Sequence, residues 1–366
     1  MATHKIAVIP GDGIGTEVMH EGLRVLDRVA EIHGGVTFDY THYEWSCEYY
    51  TRTGHMMPED GMDRLRDTDA ILLGAVGYPG VPDHISLRDL LLKIRQGFNQ
   101  YVNFRPVKLL TEQDCPLKGK GPGDLDMVFV RENTEGEYAG VGGRVRQGTP
   151  EETVVQTSVF TRKNTENVMR FAFELTRKRA DARRAEGLKT ASKVTSVTKS
   201  NALNHSLVFW DEVFAEIGSG YPEVETDQYH VDAMSMYMIQ RPEDFDVVVA
   251  SNLFGDILTD LGGVLQGGLG FAAGGNLNPD RQFPSMFEPV HGSAPTIAGK
   301  GIANPIAMIW TVKLMLDFLG YSELGDLVME AIRTVVIGKR AELTADMGGN
   351  GSTASSTDLV LSALPS

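Results

Sequence analysis

Five short apolar runs recur along this chain of 366 residues, at 5–10 (KIAVIP), 70–75 (AILLGA), 126–130 (DMVFV), 194–198 (VTSVT) and 246–250 (DVVVA). Stretches with helical spacing of apolar residues lie among them, at 16–32, 163–184 and 201–217. Such alternation is the pattern of an α/β fold with much parallel sheet, because a strand covered by helices on both faces has no polar side to show. The stretch from 115 to 160 departs from it. There Val154, Val155, Val159 and Phe160 have β-like spacing amid several glycines, which predicts a second domain or an arm inserted into the first. In the 163–184 helix, Val168, Phe171, Ala172 and Leu175 mark an apolar face, and the basic run Arg177, Lys178, Arg179, Arg183 and Arg184 reads as a solvated one.

Each run leads into a polar or glycine-rich segment: GDGIG at 11–15, Val76 and Gly77, Arg131 to Asn133, Lys199 to Asn201, and Ser251 to Asp256. In parallel α/β sheets ligands bind outside the carboxyl ends of strands, so these segments mark where a site would be built. The 40 glycines cluster at 11–15, 140–143, 262–275 and 348–351 without a repeat, which points to tight turns and close ligand approach.

With 34 Lys and Arg against 49 Asp and Glu, the formal charge is −15. That field disfavours nucleic acid or an anionic membrane surface as a partner. A small anionic substrate stays admissible, since a local cationic patch outweighs a distant total. Cys47 and Cys115 cannot build a disulfide framework and lack metal-motif spacing. The opening MATHKIAVIPGDG has no apolar stretch of signal-peptide length, and no window approaches the roughly 18 apolar residues of a membrane span. A cytoplasmic location is expected.

Asp256 and Asp260 in GDILTDL lie four residues apart, so on a helix they share a face and could share a divalent ion; the alternative is that they merely complement the helix dipole. Asp232 begins another predicted helix and could supply a third carboxylate, while its neighbours Met234, Met236 and Met238 read as core. Arg88, Lys93, Arg95 and Arg105 stand against the single acid Asp89, and Arg131 comes after a separate strand. Any one arginine could be ordinary surface; together their planar forks suit a di- or tricarboxylic substrate. Lys199 and Tyr138 are the acid/base candidates, a lysine as proton acceptor and a tyrosine as donor to a developing enolate. The GxGxxA pattern at 268–273 comes after a predicted helix rather than a strand, so it is not read as a Rossmann fingerprint. The loop after His291, with Asn304, could wrap a polar ligand.

Taken together, IPGDGIGTEV, IRQGFNQYVNFRP, VRENTEGEYAG, VTKSNAL, YHVDAMSMYM, NLFGDILTDLGG and FEPVHGSAPTIAGKGIANP resemble the isocitrate/isopropylmalate dehydrogenase family of β-decarboxylating dehydrogenases. With the C-terminal TADMGG they span nearly the whole chain. The resemblance implies an isopropylmalate dehydrogenase-like two-domain α/β fold that binds a dinucleotide without the Rossmann fingerprint. It implies a large cofactor-binding domain of residues 1–103 and 267–366 and a small domain of 104–266 with the dimer interface and arm. By position, Arg95, Arg105 and Arg131 match the substrate-carboxylate arginines, Tyr138 and Lys199 the acid/base pair, and Asp232, Asp256 and Asp260 the carboxylates that hold Mg²⁺ or Mn²⁺. His291, Gly292, Ser293, Ala294, Ile297 and Asn304 match residues around the cofactor's adenosine. The implied assembly is a homodimer in which Lys199 and Asp232 enter the site from the partner subunit. NAD is the implied dinucleotide, and a monovalent cation such as K⁺ is a further candidate.

Residues 84–105 and RENTEGEY are most similar to the tartrate and D-malate branch. The implied activity is NAD-linked, metal-dependent oxidation, with or without decarboxylation, of a small 2-hydroxy dicarboxylic acid. Arg88 stands where isopropylmalate enzymes share a glutamate, and Leu91 and Leu92 where isocitrate enzymes make a polar contact. Those leucines would also suit an isopropyl group, which keeps 3-isopropylmalate as the alternative substrate. A dicarboxylate-binding regulatory subunit is the non-enzymatic alternative, and an acid/base pair would be superfluous in it. Thr296 takes the place of an aspartate that grips the ribose hydroxyls in NAD-using relatives, yet the lysine and tyrosine pair of NADP-using isocitrate enzymes is absent at 296 and 297.

Overall fold

The computed structural model describes residues 2–187 and 192–365. Its strands are β1 (Ala2–Gly11), β2 (Val36–His42), β3 (Ala70–Ala75), β4 (Val102–Lys108), β5 (Asp126–Glu132), β6 (Gly136–Val145), β7 (Thr153–Val159), β8 (Lys193–Thr198), β9 (Glu225–His230), β10 (Val247–Ala250), β11 (Ala273–Leu277) and β12 (Ser285–Pro289). Each of the five apolar runs forms a strand, and β3 and β10 are buried at every residue. The expected α/β class holds. By internal contacts the chain divides into two units, the first comprising Met1–Gln100, Lys108–Pro122 and Gly263–Ser366 and the second Tyr101–Val107 and Gly123–Gly262.

In the first unit the strand order is β2-β1-β3-β12-β11. β1 runs parallel to β2 and β3, β12 parallel to β3, and β11 antiparallel to β12. The helix Ile14–His33 buries Val18, Met19, Val25, Leu26 and Val29 at the spacing its sequence predicts. It closes on the helix Ile306–Leu319 at Gly22, where a Cβ would stand 2.7 Å from Met308 Cγ. The GxGxxA segment passes from the helix ending at Leu265 through a short turn, Leu269–Phe271, into β11, so the strand-turn-helix context is absent here as well.

In the second unit the order is β4-β5-β10-β8-β9, with β10 parallel to β5 and β8, and β8 parallel to β9. β6 and β7 form a separate antiparallel hairpin that exposes Val141, Val145, Val154 and Val155. Two expectations need correction. The basic run of the helix Arg162–Ala185 is not wholly solvated, because Arg179 and Arg183 turn inward and both bind Asp246, at 2.8 and 2.9 Å, while Arg179 also binds Asp126. Asp246 is buried, and two cations hold it there. Among the methionines, Met234 and Met238 are core, but Met236, two residues from each along the helix Val231–Gln240, faces outward. Among the described residues no helix is long and apolar enough to cross a membrane.

Candidate active site

Arg131, at the carboxyl end of β5, ties several residues of the second unit together. Its Nε donates to the Asn252 backbone oxygen at 2.9 Å, its Nη2 to Asn252 Oδ1 at 2.7 Å, and its Nη1 to Asp256 Oδ1 at 2.6 Å. It lies against the helix Asn252–Leu265 only because residue 255 is glycine: a Cβ there would stand 2.5 Å from Arg131 Cγ. Arg105 on β4 reaches the same helix, donating to Thr259 Oγ1 at 2.6 Å and lying 3.5 Å from Asp256 Oδ1. Tyr138, on β6, donates its hydroxyl to Asp256 Oδ2 at 2.9 Å, and its ring lies 5.5 Å from the Arg131 guanidinium carbon. Asp260 sits one turn beyond Asp256 on an exposed position. Partial withdrawal of its carboxyl from water raises its pKa, Arg105 opposes that, and the Asp256 charge adds to it.

The loop between β5 and β6 is held by buried carboxylate chemistry. Glu132 accepts from the Thr134 and Glu135 backbone N–H groups and the Thr134 hydroxyl, and its burial pushes its pKa up. Asn252 Nδ2 donates to the Glu135 carbonyl, tying this loop to the helix that bears Asp256 and Asp260. Lys199, just past β8, donates to Asp232 Oδ1 at 2.7 Å, and this bond holds the exposed Asp232 carboxyl below the usual carboxylate range. The 201–217 helix starts only at Ser206; ahead of it the amides of Ala202 and Leu203 turn back onto the Lys199 carbonyl.

The first unit carries the remaining candidates. Arg95 is buried and donates to Glu288 Oε1 at 2.5 Å; Asn276 Nδ2 donates to the same oxygen at 2.8 Å. A cleft of about 690 Å³ is lined by residues 76–83 on one side and by Gly292, Ser293, Ala294 and Pro295 on the other. His291 Nδ1 lies 3.0 Å from the Gly292 oxygen, burial lowers its pKa, and its buried Nε2 has no hydrogen-bond partner. Ile297 donates its backbone N–H to the Ala294 carbonyl. Asn304 donates to Asp346 Oδ2 at 2.9 Å and accepts from Ile306 N. Glu17, on the first helix, accepts from the backbone N–H groups of Gly299 and Gly301.

Arg105, Arg131, Tyr138 and Asp256 are thus brought into one hydrogen-bonded group, with Asp260 on the next turn. Asp232 is not: among the described residues of a single chain no group of three His, Cys, Asp or Glu side chains is placed to hold a metal. The chemistry of Asp256 and Asp260 suits a hard divalent cation, with further ligands required from outside this cluster. The 690 Å³ cleft falls in the size range of small-molecule sites, and the orphaned His291 nitrogen beside it needs a polar partner. Sequence reasoning missed Asn252, Thr259 and Glu288. For Glu288 a signal existed, a carboxylate inside the buried strand SMFEP, which demands a cation nearby.

Residues 5–361 match the family described as isocitrate/isopropylmalate dehydrogenase. The chain belongs to this family. It is 50% identical over 365 residues to a probable tartrate dehydrogenase/decarboxylase of Bacillus subtilis (strain 168), covering 100% of this chain and 99% of that one. It is also 50% identical to a D-malate dehydrogenase (decarboxylating) of Escherichia coli (strain K12), covering 98% of each. Among solved structures, an isocitrate dehydrogenase from Methylococcus capsulatus superposes with a TM-score of 0.83 at 34% identity, over 98% of this chain and 99% of that chain. The isocitrate/isopropylmalate dehydrogenases are oxidoreductases that generally depend on NAD or NADP and on a divalent metal.

Proposed function

We propose that the chain oxidises a small 2-hydroxy dicarboxylic acid of the tartrate and D-malate type, with NAD as acceptor and Mg²⁺ or Mn²⁺ in the site, and that the keto acid formed can lose its β-carboxylate. The observation that carries this reading is the group around Asp256. A carboxylate bound by two arginines and a tyrosine hydroxyl, with a second carboxylate one turn away, offers a cation site, anion ligands and a proton donor together. Near-full-length identity to tartrate and D-malate enzymes supports the substrate class.

In this reading Asp256 and Asp260 hold the metal with Asp232 of a second copy of the chain. Lys199 and Asp232 are already bonded to one another, so they would enter that copy's site as a pair. When bound, a divalent metal would supply positive charge at the substrate's hydroxyl and carboxylate, and the nicotinamide an acceptor for hydride. Lys199 takes the hydroxyl proton as hydride leaves the carbon, and Tyr138 returns a proton to the carbon that has lost carbon dioxide. Arg105 and Arg131 hold substrate carboxylates, a role also assigned to Arg95. The 76–83 and 292–295 cleft takes the dinucleotide, with His291, Gly292, Ser293, Ala294, Ile297 and Asn304 toward its adenosine. The first unit is then the cofactor-binding domain, and the second carries the arm and the dimer interface. A K⁺ ion remains a candidate activator.

One observation weakens the 3-isopropylmalate alternative: Leu92 is 3% exposed and packed in the core, which leaves Leu91 alone to meet an isopropyl group. The test is a panel of D-malate, both tartrates, 3-isopropylmalate and isocitrate, each with NAD and NADP and with Mn²⁺ or Mg²⁺. Metal-dependent NADH formation fastest with D-malate or a tartrate is expected. A higher kcat/KM for 3-isopropylmalate or isocitrate overturns the substrate assignment, and a higher kcat/KM with NADP overturns the dinucleotide assignment.

A further inference from the structure

The GDGIG turn after β1 touches both walls of the 690 Å³ cleft, through two different groups. Asp12 is 2% exposed, and its Oδ2 accepts the backbone N–H of Gly77 at 3.0 Å, at the head of the 76–83 wall. The same carboxylate accepts the N–H of Cys47 at 3.0 Å and, more weakly, that of Glu48 at 3.4 Å. Burial first, and then the Asp12 carboxylate, push the Cys47 thiol up to about 12, so the sulfur stays a neutral neighbour and does not repel the carboxylate. Two residues on, Ile14 N donates to the Ser293 carbonyl at 2.8 Å, in the opposite wall. Gly13, at φ 58°, makes this approach feasible, since a Cβ there would stand 2.1 Å from the Ser293 oxygen.

One backbone hydrogen bond secures the 292–295 wall to the turn; toward the other, the Asp12 N–H donates to the Ala75 carbonyl at 2.7 Å, just before the wall begins, and within the wall the Asp12 carboxylate holds the Gly77 amide. A carboxylate that accepts several backbone N–H groups forms charge-assisted bonds, stronger than neutral ones and costly to lose when buried. We propose that Asp12 is the positioning residue of the dinucleotide groove, fixing the 76–83 wall through the Gly77 amide at its distance from the 292–295 wall. It touches no ligand itself. The proposal rests on the dinucleotide reading of that cleft.

The test uses the full chain, Asp12→Asn and Asp12→Ala, and NADH as the probe. Asp12→Asn keeps the side chain's shape and guards against simple misfolding. In the ligand-free protein the Gly77 amide should exchange slowly with deuterium, and both variants should speed exchange across 76–83 while leaving β5 and β10 unchanged. The NADH Kd, read by fluorescence, should rise about tenfold in Asp12→Ala, as expected for the loss of a charge-assisted bond. The dinucleotide KM should rise with it, while kcat at saturating dinucleotide falls less than about threefold; loss of folded enzyme alone would lower kcat and leave KM where it was. NADH affinity within twofold of the unmutated protein in a folded variant overturns the proposal and leaves the groove's assignment standing. No NADH binding by the unmutated protein overturns both. The exchange measurement on the unmutated protein needs no variant, and rapid exchange at Gly77 overturns the clamp by itself.

Discussion

Lys199 and Asp256 place different demands on the reaction, and their substitutions separate them. Lys199→Ala should leave folding and NADH binding intact and cut turnover by roughly 10²- to 10⁴-fold, the usual contribution of a general base; near-wild-type turnover would remove Lys199 from that role. Asp256→Asn keeps an oxygen for Tyr138 or Arg131 but loses the charge, so the Mn²⁺ concentration for half-maximal activity should rise tenfold or more on the order seen for altered metal shells. An unchanged requirement would count against Asp256 as a ligand. Glu132 carries a pH dependence of stability instead. Burial raises its folded pKa, so the folded state binds more protons than the unfolded one between the two values. Stability is therefore lost as pH rises from about 4.3, the unfolded value, through the raised one. Glu132→Gln removes this titration, and its melting temperature relative to the unmutated protein should increase with pH across that window; a difference independent of pH would refute the assignment. Asp256 and Asp260 were legible because helical spacing is local. Asp12 was not, since its bond to Gly77 spans 65 residues and leaves no periodic trace.

Among the elements, most strands read correctly from sequence were buried on both faces, where continuous apolar runs are required; exposed β7 was read instead from the spacing of its valines. β2 and β9 went unread for the converse reason. They stand outermost in their units' strand orders, and VTFDYTH and ETDQYH expose much of their length, so polar residues break the run. β11, AGGNL, was obscured by glycines that ordinarily signal a turn. The same limit applied to the Arg162–Ala185 helix, where a basic run looks solvated until a distant acid turns out to lie beneath it. Arg179→Met tests that finding. It leaves Asp246 with Arg183 alone and should destabilise the second unit by roughly 2–3 kcal/mol, below the loss for a buried charge left fully unpaired. A change under about 0.5 kcal/mol in denaturant unfolding, the level of an ordinary surface substitution, would return Arg179 to the surface.

At the scale of the whole molecule, the proposed sharing of sites makes a quantitative demand. Lys199→Ala and Asp256→Asn should each be nearly inactive alone. In a heterodimer of the two, one site would draw an intact Asp256 from one chain and an intact Lys199 from the other, while the second site carries both lesions. Co-refolding equal amounts should recover about a quarter of wild-type activity, because half the dimers are mixed and half their sites are whole. No recovery would place Lys199 and Asp256 in a site built by one chain. The division into units also sets an order in time. Most of the second unit is one continuous stretch, Gly123–Gly262, whereas the first is closed only by Gly263–Ser366. On the ribosome, β3 has β1 at hand early but must wait for β12 to cover its other edge. At roughly 5–20 residues per second, that edge stays bare for about ten seconds or more after β3 is made. Released chains that end just beyond residue 262 should already protect the second unit from protease while the first is still cut. A nascent chain therefore spends most of its synthesis with the cleft of its first unit unbuilt, and the exposed β3 edge is where a chaperone would be needed.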